Sequence, residues 1–130
     1  MKAIVRRVAG PVAILGLALL MAGCAGTARA DQGQPSLDPN AVQIVAKDIA
    51  FTTPQVSAPA NKPFQVQFDN QDSAPHNVAI YTDSSASQAV FQGDIFSSGT
   101  RIYQVPALKP GTYFFRCDVH QDMTGTIVVK

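Results

Sequence analysis

The 130-residue chain contains no tryptophan, no glutamate, only two cysteines and only two histidines. With no glutamate, all nine acidic residues are aspartates, and charged residues make up just 15 % of the chain. The formal charge of +1 is set partly by Lys2, Arg6 and Arg7 at the extreme N-terminus. From Cys24 onward, seven basic residues face nine aspartates, with no basic cluster. That excludes a nucleic-acid-binding face, which requires clustered Lys and Arg. No Ser-His-Asp arrangement and no glycine-rich phosphate loop is present either. A chain of this size, 46 % hydrophobic, holds one globular domain with accessory segments.

The first of those segments is the N-terminus. Residues 1–7 form a short positive stretch, and no charge follows from Val8 to Gly23. This is the pattern of a secretory signal, so residues 1–23 are set aside from the fold. The segment ends Leu20-Met21-Ala22-Gly23-Cys24, which resembles a bacterial lipobox. That resemblance implies cleavage before Cys24 and lipidation of its side chain. The competing reading is an uncleaved anchor, because the uncharged run continues to Ala28 and approaches bilayer-spanning length. Both readings place the domain outside the cytoplasmic membrane, in the periplasm or at the cell surface, and hold it to that membrane. Residues 24–40 are small and polar without apolar periodicity, the composition of a flexible tether. The folded domain is expected over 41–130.

Within it, strand patterns dominate. Val42–Ala46 and Phe64–Asp69 alternate apolar and polar residues, and His76–Tyr81, Ile102–Val105, Thr112–Phe115 and Thr126–Val129 are rich in β-branched and aromatic residues. Pro54, Pro59, Pro63, Pro75, Pro106 and Pro110-Gly111 punctuate them. Short strands with turn signals at this spacing predict an all-β, antiparallel Greek-key sandwich. Asp83–Thr100 falls outside the pattern and reads as a surface loop with one helical turn capped by Ser84 or Ser85.

Scarcity makes the remaining cysteine conspicuous. Cys117, His120 and Met123 recur at every third position between two expected strands, so one tight loop can turn a thiolate, an imidazole and a thioether toward a common point. With Cys24 assigned to lipid, Cys117 has no disulfide partner. A buried inert cysteine is the plainer reading, but it leaves His120 and Met123 unexplained. A fourth ligand must come from the only other histidine, His76, which follows Pro75 and is expected to open a strand. Two histidines, one thiolate and a weak thioether suit a single copper ion cycling between Cu(I) and Cu(II). Zinc takes thioether poorly. With both histidines committed, no second metal centre and no ordinary general base remain, and an enzyme is not expected.

Ser73-Ala-Pro75-His76-Asn77-Val78, together with Gly111-Thr-Tyr-Phe-Phe-Arg-Cys117-Asp-Val-His120-Gln-Asp-Met123-Thr-Gly125, resembles the cupredoxins of the plastocyanin and amicyanin type. The resemblance covers most of residues 42–130, and the short ligand loop is most similar to amicyanin. It implies a type 1 (blue) copper site with His76 and His120 bound through Nδ1, Cys117 through sulfur and Met123 axially. Pro75 and Asn77 would support the site, the Asn77 side chain bonding across to the ligand loop. The implied function is electron transport, as a membrane-tethered monomer serving redox partner proteins. A copper module for delivery or storage is the alternative, and a metal-free interaction domain a third reading. Two departures stand out. Gln121 and Asp122 follow His120 where many relatives have proline and an apolar residue, and Arg116 stands where plastocyanins carry tyrosine. The remote electron route of the plastocyanins is therefore not implied.

Overall fold

The computed structural model describes residues 36–130; the leader, Cys24 and the start of the tether lie outside the described residues. Nine strands make two packed sheets, and the described residues contain no helix. β1 (Val42–Lys47), β2 (Ala50–Phe51), β4 (Phe64–His76) and β7 (Phe96–Val105) form one sheet in the order β2-β1-β4-β7. β3 (Gln55–Ala58), β5 (Ala79–Tyr81), β6 (Ala89–Gln92), β8 (Gly111–Arg116) and β9 (Thr124–Val129) form the other, ordered β3-β9-β8-β5-β6. The chain passes repeatedly between the sheets, the Greek-key weave.

Alternation does what the sequence implies. Ile44, Val66 and Phe68 from one sheet, and Ile80, Phe115 and Ile127 from the other, are fully buried between the layers. Phe68 sits at the centre, edge-on to Phe51 at 6.2 Å and to Phe96 at 5.6 Å, while Phe51 meets Phe115 across the sandwich at 5.0 Å. Such contacts between rings add about 0.5–1.5 kcal/mol each beyond their burial.

Three details differ from expectation. Two of the pairings are parallel, β1 with β4 and β3 with β9; alternation shows which face is buried but not strand direction. Asp83–Thr100 holds no helical turn: the Ser85 amide donates to the Asp83 side chain at 2.8 Å, Ala86 takes a positive φ of 51°, and β6 follows. Val90 and Phe91 pack on the core, Phe91 pairing with Ile80 of β5 while Val90 falls at a shift in the register. His76 closes a strand instead of opening one, since β4 runs 13 residues and carries an irregularity between Asn70 and Pro75. There Asn70, 1 % exposed, bonds through its side-chain amide to the carbonyls of Ala74 and Phe96 at 3.0 and 2.8 Å. That side chain stands in for interrupted ladder bonds and redirects the strand toward one end of the sandwich.

Candidate metal centre

At that end, β4 delivers His76 and the turn between β8 and β9 delivers Cys117 and His120. Their candidate ligand atoms all lie within 4.8 Å of one another. Cys117 Sγ stands 3.7 Å from His76 Nδ1 and 3.9 Å from His120 Nδ1, and the two Nδ1 atoms are 3.1 Å apart. His76 and Cys117 are fully buried, whereas His120 is partly exposed. The loop is closed by its own backbone: the Cys117 amide donates to the Met123 carbonyl at 3.0 Å, and the Met123 amide donates to the His120 carbonyl at 2.9 Å. Met123 is 2 % exposed in the same loop. Gly125 ends it, where a Cβ would run into the Phe115 ring and the Pro54 carbonyl.

Asn77 ties the two arms together. Its side-chain carbonyl accepts from the Asp118 amide at 2.8 Å, and its amide nitrogen donates to the Asp118 carboxylate and to the Gly93 carbonyl, both at 3.0 Å. Pro75, exposed, lies beside Ser97 of β7 and holds only the approach to His76. Asp118 also accepts from the Tyr81 hydroxyl at 2.6 Å and from Gln92 at 3.3 Å. Arg116 lies 5.0 Å over the Tyr81 ring, its Nε 3.7 Å from Asp118 and without a hydrogen bond. Partial burial opposes ionisation of Asp118. The bonds from Tyr81, Asn77 and Gln92, with the Arg116 charge, outweigh it and hold the carboxyl below its ordinary pKa. Burial, then Asp118, pushes the Tyr81 phenol upward.

The profile of the cupredoxin-like domain matches residues 12–129. The chain belongs to the cupredoxin family. It is 28 % identical over 125 residues to amicyanin-alpha of Methylorubrum extorquens, a match covering 96 % of this chain and 99 % of that one. Among solved structures, reduced auracyanin from Roseiflexus castenholzii is similar with a TM-score of 0.60 at 19 % identity, covering 68 % of this chain and 94 % of its own. Amicyanin from Paracoccus versutus is similar with a TM-score of 0.57 at 24 % identity, covering 73 % and 86 %. At these identities the structural likenesses speak for the fold.

The donor chemistry of this cupredoxin fits one copper ion. His76 Nε2 lies 3.0 Å from the Asp72 carboxylate, so the ring proton belongs there and the Nδ1 lone pair faces the cluster. Two Nδ1 atoms and a sulfur converging in a buried space form a donor set that suits a soft cation. Three side chains around this centre escape a reading of motifs: Asp72, Asp118 and Tyr81. The two available signals are a carboxylate four residues before a histidine and another directly after the cysteine.

Proposed function

We propose that this cupredoxin is a mononuclear electron carrier, in which His76, Cys117 and His120 would hold copper and the Met123 thioether would add a weak fourth donor. Bound copper supplies a one-electron Cu(I)/Cu(II) couple. The chain supplies rigidity: three donors meet at the end of a closed sandwich, two of them fully buried, and the loop carrying His120 is pinned by its own backbone. Little rearrangement accompanies a change of charge in such a frame. The single observation behind the reading is the contrast between the imidazoles, His76 enclosed and His120 partly exposed. The exposed edge of His120 is the electron's way in and out, and Val119 beside it, 43 % exposed, offers apolar surface to a redox protein. The same reading places the domain outside the cytoplasmic membrane, tethered through lipidated Cys24, as a monomer without enzymatic activity.

The test pairs electron self-exchange, followed by stopped flow, with copper transfer to a chelator. Fast self-exchange with slow copper loss is expected, together with thiolate-to-copper charge-transfer colour that Cys117→Ser abolishes. Slow exchange with rapid copper loss would overturn the reading in favour of copper delivery.

A further inference from the structure

The turn joining β1 to β2 is made of Asp48 and Ile49, both with positive φ, 54° and 57°. A two-residue turn of this hand normally draws Asn-Gly. A β-branched residue in left-handed backbone is strained, by about 1–3 kcal/mol, and Ile49 gains little packing in return, since it is 56 % exposed. What holds the turn lies elsewhere in the chain. Asp72 Oδ1 accepts from the Asp48 amide at 2.8 Å, and Asp72 Oδ2 accepts from the Ile49 amide at 3.0 Å. The same Oδ2 takes the His76 Nε2 contact at 3.0 Å. Asp72 is itself set by the irregular stretch of β4: its amide donates to Asn70 Oδ1 at 2.9 Å, and its carbonyl accepts from the Ser98 hydroxyl at 2.8 Å.

We infer that Asp72 is a positioning residue shared between the strained β1–β2 turn and the copper site, fixing the His76 tautomer and ring plane and biasing the site toward the oxidised ion. The inference rests on the reading that His76 is a copper ligand. One carboxylate serves three donors, so none of the three is free to move alone. A histidine whose far nitrogen is claimed by a carboxylate is a more basic and better oriented ligand, and loss of such a partner typically costs 10–100-fold in metal affinity. The added negative charge favours Cu(II) over Cu(I).

Two measurements test it. In the protein without metal, the His76 Nε2 proton should be visible by nitrogen-15 NMR and should exchange with water at least tenfold more slowly in the wild type than in Asp72→Ala. A rapidly exchanging His76 proton overturns the inference whether or not copper binds. In the copper protein, Asp72→Ala should lose metal to a chelator 10–100-fold faster. At a fixed electrode potential it should also move the Cu(I)/Cu(II) ratio about tenfold toward Cu(I), or about 59 mV for a one-electron couple. Asp72→Asn, which keeps one carbonyl acceptor and no charge, should move the ratio in the same direction by a smaller factor. A wild-type ratio in both variants overturns the role of Asp72 while leaving the electron-carrier reading intact. Failure of the wild-type protein to bind copper overturns that reading, and the ring-proton measurement still decides the clamp.

Discussion

His76 and His120 both turn Nδ1 toward Cys117, at 3.7 and 3.9 Å, yet what stands behind the two rings differs. His76 ends a long strand, is fully buried and has a carboxylate on its far nitrogen. His120 sits in a tight turn, is partly exposed, and no protein group among the described residues bonds its Nε2. One imidazole is therefore part of the scaffold and the other part of the surface. On the electron-carrier reading proposed above, the enclosed ring would fix geometry and the open one would meet a partner.

The sharpest way to break that comparison is to delete each ring in turn. His76→Gly should lose the copper colour beyond recovery, because the void is enclosed. His120→Gly should regain it when imidazole is added from solution, because the vacated place opens outward; an absorption titration with imidazole reads the difference. If both variants recover alike, the two rings are equally accessible and the contrast fails.

A smaller effect is expected where the two arms are joined. Asn77→Ala leaves the Asp118 amide and the Gly93 carbonyl without their partner, and an unmet buried polar group costs about 1–3 kcal/mol. Urea unfolding of the metal-free protein should show a loss of about 2 kcal/mol. A loss well under 1 kcal/mol would mean that the arms are held by packing instead. The smallest change sharpens the comparison from the other side. Ile49→Gly should relieve the left-handed backbone behind His76 and raise the stability of the metal-free protein by about 0.5–1 kcal/mol, read as a few degrees in Tm. The absorption spectrum should stay as in wild type, since the amides that Asp72 binds remain in place.

The two arms also differed in how far they could be read from residues alone. The ligand loop is local: Cys117, His120 and Met123 lie within seven residues, and their spacing contains most of the geometry. The His76 arm is assembled from distant pieces. Alternation marks Phe64–Asp69 but stops where Asn70 begins to replace backbone bonds, so a strand that continues to His76 looked like one that starts there. β2, with two residues, and β3, with four, are too short to show a period, and β6 hides in a serine-rich segment because packing of Val90 and Phe91 outweighs local preference. Asp72 carries no pattern of its own. Its importance comes from bonds to residues 23 and 24 positions earlier, which no spacing rule contains.

The place of β9 has a consequence for the order in which the molecule can be made. It is the last of the nine described strands yet an interior one, lying between β3 and β8, and it pairs in parallel with residues some 70 positions earlier. The turn carrying Cys117, His120 and Met123 closes only when β9 docks beside β8. While β9 is undocked, His76 stands at the end of β4 with no closed ligand turn opposite it. Closing so long a loop is also slow compared with local pairing. A complete set of donors therefore exists only once β9 has docked, so the metal centre is among the last features of the fold to form.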